Sequence, residues 1–142
     1  METFERVMST TPNRGGMEWA ILAACAEACT DCELACVSCA DACLGEQYPS
    51  SLRRCIRLNL DCADICATTA RLLVRLFETE LSVLVAQLEA CARICAESAA
   101  ECERHKSEHR HCAACADVCR KCERQCREVM RKLPHDDAGN GG

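Results

Sequence analysis

Aromatic residues make up only 3% of this chain, so a core built on packed rings is excluded. Three prolines and six glycines in 142 residues leave long stretches without a backbone breaker. With Ala, Leu, Arg and Glu abundant, that scarcity favours helix over strand. Positive charge is not in excess: 17 Lys and Arg face 22 Asp and Glu, a formal net charge of -5, which gives no reason to expect nucleic acid as a partner. The Arg and Glu residues are interspersed and read as a solvated outer surface. No stretch approaches the length of a membrane span, and residues 1–16 hold no apolar run of signal-peptide length. The expected location is therefore cytoplasmic, with no membrane partner. Also missing are a Ser-His-Asp set, a phosphate-binding glycine loop and paired carboxylates in a defined cleft. The chain reads as a non-enzyme.

Against these absences stands one excess, 17 cysteines. Nearly all fall three, four or seven residues apart: Cys25, Cys29, Cys32, Cys36, Cys39 and Cys43; then Cys55, Cys62 and Cys66; then Cys91, Cys95 and Cys102; and finally Cys112, Cys115, Cys119, Cys122 and Cys126. Such spacing places each run on one face of a helix. A cytosolic compartment keeps thiols reduced, so the cysteines point to metal binding or redox chemistry before structural disulfides, and their odd number leaves at least one unpaired. Neighbours four apart on a helix hold their Cβ atoms about 5–6 Å apart, too far for a relaxed disulfide but suited to gripping one ion.

The chain divides into an N-terminal arm, 1–16, with a short helix around Phe4 to Met8, a helical body, 17–133, and a flexible tail, 134–142. Helices are expected over 17–44, stopped by Gly45; over 51–77, capped by Ser50 or Ser51; over 80–105, capped by Thr79; and over 108–133, stopped by Pro134. No Gly or Pro marks the second boundary, and a break near Glu78 is preferred because one helix from 50 to 105 exceeds normal globular lengths. Short connections make neighbours antiparallel, which gives an all-α, up-down-up-down four-helix bundle with a cysteine-lined core. The first and fourth runs, CAEACTDCELAC and CAACADVCRKCERQC, look like an internal repeat.

Antiparallel packing lets heights be compared at about 1.5 Å per residue, and the thiols then fill a column roughly 28 Å long. Below it the inward stripes turn to hydrocarbon: Trp19 and Leu22; Leu73, Leu76 and Phe77; Leu81, Leu84 and Leu88; Val129, Met130 and Leu133. That end should be plugged and the other should be the mouth. His105 is the next inward position after Cys102, His109 falls in phase with Cys112, and His111 is off the stripe. The three are candidate mouth ligands, though RHKSEHRHC also reads as a plain polar connection. Asn59 is in phase with Cys55 and Cys62 and reads equally as a residue inside the tube or on its surface. Ser98 stands where the third stripe would carry a thiol and marks a gap.

One buried cysteine is an ordinary small hydrophobe. Seventeen in register are not, since Ala or Val would pack as well without the oxidation risk. Soft thiolates select copper(I), zinc or iron-sulfur clusters. Cluster ligands usually come from loops, not continuous helices. Zinc wants closed sets of four, often from C-x2-C turns. The recurrent unit here is C-x3-C, a pair of sulfurs suited to copper(I), and monovalent ions at near-equal number leave the core almost neutral. Sharing of each sulfur between two ions brings capacity to about seventeen, and no sharing to about half that. A zinc buffer or metal-dependent structural module, and a thiol redox protein with one activated cysteine, remain as alternatives.

With four cysteine-faced helices, C-x3-C pairs throughout and His105, His109 and His111 between the last two helices, the chain resembles the cytosolic copper storage proteins over roughly residues 17–133. The resemblance implies a four-helix bundle that fills with many copper(I) ions through its open end, commonly as a homotetramer. It makes all seventeen cysteines candidate ligands and the three histidines candidate mouth residues. Exchange with a copper chaperone or a small thiol is the implied partnership. The methionines expected at a copper mouth are missing there: Met17 and Met130 fall at the plugged end.

Overall fold

The computed structural model describes residues 3–12 and 16–134, and the expected tail beyond Pro134 lies outside the described residues. Every regular element among them is helical: α1 (Thr3–Met8), α2 (Trp19–Leu44), a 3-10 turn (Pro49–Leu52), α3 (Arg53–Leu73), α4 (Leu81–Arg104) and α5 (Arg110–Lys132). The four long helices form because apolar or thiol side chains recur at alternating steps of three and four along each. One buried stripe runs Leu22, Cys25, Cys29, Cys32, Cys36, Cys39, Cys43 on α2, and another runs Cys112, Cys115, Cys119, Cys122, Cys126, Val129 on α5. Helix α2 packs on α3 and α5, and α4 packs on the same two, while the diagonal pairs make no close backbone approach. The result is a square ring of helices around one axis.

Facing side chains run in opposite chain order. Going down α2, Cys25, Cys29, Cys32 and Cys36 meet Cys126, Cys122, Cys119 and Cys115 of α5, and down α4, Cys91, Cys95 and Cys102 meet Cys66, Cys62 and Cys55 of α3. Neighbouring helices are thus antiparallel. Helix α1 lies against α2, burying Met8 and setting Phe4 on the core. No helix among the described residues is long and apolar enough to cross a membrane.

Several boundaries differ from the sequence reading. The second long helix begins through the 3-10 turn: Ser51 Oγ donates to the Tyr48 carbonyl 2.8 Å away, and neither Ser50 nor Ser51 caps it. Pro49 opens this turn, its fixed φ suiting a first helical position. Helix α3 ends at Leu73, four residues short of 77. Residues 74–80 form the turn instead, and Glu78 stands in it with φ 54°, the left-handed region that reverses the chain where no glycine is available. Phe77 is consequently carried outward, 65% exposed, and is not part of the plug. Leu22, Leu73, Leu76, Leu84, Leu88, Val129 and Leu133 are buried at that end with Met8 and Met17, while Trp19, Leu81 and Met130 are half-buried against them. The cap of α4 falls on Glu80 and not Thr79, and that of α5 on His109.

Candidate metal centre

The stripes bring all seventeen cysteines inward; each is a free thiol and none is more than 2% exposed. On α2 they extend from Cys25 to Cys43, a column of about 27 Å at helical rise. Cys32 alone has Cys36, Cys62, Cys95 and Cys119 within 4.0 Å of its Sγ. Cys66 has Cys62, Cys91, Cys95 and Cys122 within 3.9 Å. Sequence spacing pointed to pairs within one helix, and Cys32–Cys36, Cys62–Cys66 and Cys115–Cys119 do lie 3.8–4.0 Å apart. The shortest contacts are between helices: Cys32–Cys62, Cys36–Cys119, Cys55–Cys102, Cys66–Cys95 and Cys29–Cys122 are all 3.6 Å. The sulfurs form a continuous network, not a stack of separate pairs.

That spacing has a chemical consequence. With a metal–sulfur bond of about 2.3 Å, an ion in the plane of three sulfurs needs them about 4.0 Å apart, and an ion midway between two needs about 4.6 Å. The observed separations already match the first arrangement, and an outward shift of under about 1 Å reaches the second. Groups of ligand atoms lying within 4.8 Å of one another run the length of the bore: Cys29, Cys91, Cys122 and Cys126; Cys32, Cys66, Cys95 and Cys122; Cys32, Cys36, Cys62 and Cys119; Cys39, Cys102 and Cys115; and Cys39, Cys43, His111 and Cys112. Cys32, Cys39 and Cys122 each serve two groups, as sulfurs that bridge adjacent ions must.

Thiols packed this closely cannot all ionise without metal, because burial and neighbouring thiolates both oppose the charge. Burial, and then the neighbouring Cys39, push Cys43 up to about 11, and burial also raises Cys112. A minority ionise more readily: hydrogen bonding with Cys126 brings Cys25 down to about 5, and hydrogen bonding with Cys115 does the same for Cys119. Soft cations at near-equal number to sulfur remove the conflict by replacing the protons.

Two positions of the stripes are not cysteine, and they face each other. Asn59 is fully buried, and its Oδ1 accepts from Ser98 Oγ at 3.1 Å and from the thiols of Cys102 and Cys115 at 3.6 Å. Its Nδ2 donates to Cys55 Sγ at 3.7 Å, and Cys119 donates to Ser98 Oγ at 3.7 Å. Asn59 therefore lies inside the tube, and Ser98 is indeed a gap in the sulfur, filled by this amide. Toward the plug, the fully buried Thr69 donates to the Ile65 carbonyl at 2.8 Å and accepts from Gln87 Nε2 at 3.0 Å, a closure that the cysteine pattern did not point to.

The histidines sort differently from their stripe positions. His111, expected off the stripe, has its Nδ1 3.4 Å from Cys39 Sγ and 3.6 Å from Cys112 Sγ. Its backbone is in the first turn of α5, where the side chain reaches back over the mouth. His105, the expected inward residue, instead has Nε2 at 3.0 Å from Glu101 Oε2, in an ion-pair network with Arg54 and Arg104. His109 lies over His111, ring centroids 5.5 Å apart, and its Nδ1 is 2.9 Å from Glu46 Oε2. The same oxygen is 2.7 Å from His111 Nε2. Burial disfavours the charged ring of His111, but hydrogen bonds to Cys39 and Glu46 outweigh this, and its pKa is raised. Glu46 is held below the usual carboxylate range, chiefly by its hydrogen bond to His111. Neither Glu46 nor Glu101 carries a sequence signal, being single acids in polar surroundings. Among the side chains of these groups, only His111 is appreciably solvent-accessible, its side chain 25% exposed.

Known proteins resemble this chain in sequence and in fold. The family model for Csp, copper storage protein, matches residues 19–131. The cysteine-rich protein YhjQ of Bacillus subtilis (strain 168) is 42% identical over 106 residues, 75% of this chain and 93% of its own length. The structure of Ccsp from Streptomyces lividans, a copper storage protein loaded with 10 copper equivalents, superposes with a TM-score of 0.90 at 42% identity and covers 92% of this chain and 100% of that one. A further structure of copper loading in S. lividans describes the protein as cytosolic. The copper(I)-bound copper storage protein BsCsp3 from B. subtilis gives a TM-score of 0.66 at 40% identity, over 76% of this chain and 96% of its own.

Proposed function

Because this chain belongs to the copper storage protein family, we propose that it stores and sequesters many copper(I) ions on the thiolates of its bore. The observation that carries this reading is the bore of seventeen buried free thiols, most with another sulfur 3.6–4.0 Å away and the rest gathered in ligand groups within 4.8 Å, too many and too closely joined for one zinc site. A redox protein needs an accessible, activated thiol, and burial of every sulfur argues against that role. Storage, not catalysis, follows. The S. lividans relative is described as cytosolic, which supports a cytosolic place for this chain too.

The proposed ligands are Cys25, Cys29, Cys32, Cys36, Cys39, Cys43, Cys55, Cys62, Cys66, Cys91, Cys95, Cys102, Cys112, Cys115, Cys119, Cys122 and Cys126, with His111 at the mouth. An incoming ion meets His111 first, because that side chain touches both solvent and the thiols of Cys39 and Cys112. His109 and His105 border the mouth through their carboxylate partners. Each thiol gives up its proton as the ion binds, so loading slows as pH falls. A copper chaperone or a small copper-bearing thiol would deliver and collect the metal. Assembly as a homotetramer fits the exposed Leu34 and Val37 on α2 and Leu60 on α3, and light scattering tests it.

Titration of the reduced protein with copper(I) under anaerobic conditions, against a coloured chelator, tests the reading. An end point above about ten ions per chain requires bridged thiolates along the bore. An end point of one to four contradicts storage and moves the assignment to a zinc or redox module.

A further inference from the structure

We propose that Glu46 is a positioning residue that fixes the tautomer of His111, so that Nδ1 of this ring faces copper(I) as it passes to Cys39, Cys43 and Cys112. The inference rests on the storage reading above and names a residue whose carboxylate is bonded to the histidines of the mouth. Glu46 Oε2 lies 2.7 Å from His111 Nε2 and 2.9 Å from His109 Nδ1. An ionised carboxylate only accepts hydrogen bonds, so each of these ring nitrogens carries the hydrogen. In the neutral rings the lone pair is then on Nδ1 of His111 and on Nε2 of His109. For His111 that is the nitrogen beside Cys39 and Cys112. The other tautomer would set an N–H against those sulfurs and leave the metal no donor.

The placement explains why one acid serves two rings. Glu46 belongs to the connection between α2 and the 3-10 turn, whereas His109 and His111 stand at the start of α5, so this carboxylate ties two sides of the mouth together. The rings are stacked at an interplanar angle of 28°, and one oxygen orients both. Among the described residues Glu46 pairs with no Arg or Lys, so its charge is directed to the imidazoles alone. Glu101 differs: it is 6% exposed, shared by His105, Arg54 and Arg104, and belongs to the outer ion-pair network. Carboxylates that orient metal-ligating histidines typically contribute 10–100-fold to metal affinity or activity.

Two readouts test this on the full-length reduced protein. Ring-nitrogen NMR of the metal-free protein, at a pH where the imidazoles are neutral, should show His111 as the Nε2–H tautomer, and Glu46→Ala should lose that preference. The same variant should take up copper(I) from a chelator about tenfold more slowly or worse. Glu46→Gln, whose amide oxygen still accepts a hydrogen bond, should restore most of both. Wild-type tautomer or wild-type uptake rate in Glu46→Ala overturns the proposal, and so does a Glu46→Gln variant as slow as Glu46→Ala, which would assign the effect to charge. The wild-type end point of the same titration keeps the questions apart: a few ions per chain refutes storage itself, while a wild type that fills normally leaves only the role of Glu46 at stake.

Discussion

Asn59 supplies what a thiol cannot at the middle of the bore, an oxygen that accepts from Ser98, Cys102 and Cys115 at once. Removing it leaves three buried donors without that acceptor and opens a void beside them. Asn59→Ala should therefore destabilise the reduced, metal-free protein by about 2–3 kcal/mol in denaturant unfolding, and a loss under about 0.5 kcal/mol would show that the amide is not fixed in the bore. The thiols themselves set a pH dependence. Cys43 has its pKa raised to about 11, by burial and then Cys39, so the folded state keeps a proton that the unfolded chain loses near about 8.5. Below about 8.5 that contribution to stability is complete, and it is lost as pH rises through about 11. Melting of the reduced metal-free protein should accordingly fall across this alkaline window; a melting temperature that stays level or rises there contradicts the burial of protonated thiols.

Elements set where these residues meet. The break between α3 and α4 depends on Glu78, a residue with a side chain held at φ 54°. Glycine adopts that conformation without the steric cost, although it loses more freedom on folding. Glu78→Gly should raise stability by about 0.5–1 kcal/mol, read as a higher melting temperature, and a lower one would mean that the Glu78 side chain itself holds the turn. Each inward stripe was legible in the sequence, because the alternating steps of three and four fix a helical face and no other residues compete for it. The turn was legible only as a break near Glu78. Where α3 stops was not, since Leu76 and Phe77 continue the helical phase, and only the fold shows Leu76 turned in and Phe77 turned out. The caps were misplaced for a related reason: Ser51 spends its hydroxyl on the Tyr48 carbonyl inside a 3-10 turn that no periodicity marks.

In the whole molecule, antiparallel order converts four one-dimensional stripes into a three-dimensional sulfur network. Spacing along one helix shows pairs such as Cys62 and Cys66, but the 3.6 Å approaches, such as Cys32 to Cys62 and Cys29 to Cys122, arise between helices and depend on register. His111 was legible after all, since it stands four residues before Cys115 and so shares the face of that stripe. A residue in the first turn of a helix can turn its ring back over the end of the bundle, and the partner that holds it, Glu46, is 65 residues away in the chain. The hydrocarbon plug, with Leu22, Leu73, Leu84 and Leu88 almost free of solvent, gives the bundle a core that owes nothing to metal, and far-UV circular dichroism of the metal-free protein should show it helical. The central claim is that copper(I) occupies the bore from the mouth past Asn59 to the plug. Anomalous diffraction at the copper edge, from crystals loaded under anaerobic conditions, tests it most directly. A file of copper peaks should run from His111, Cys39 and Cys112 down to Cys25 and Cys126, on both sides of Asn59; a single isolated peak, or peaks confined to the outer surface with the thiols unchanged, would contradict storage in the bore.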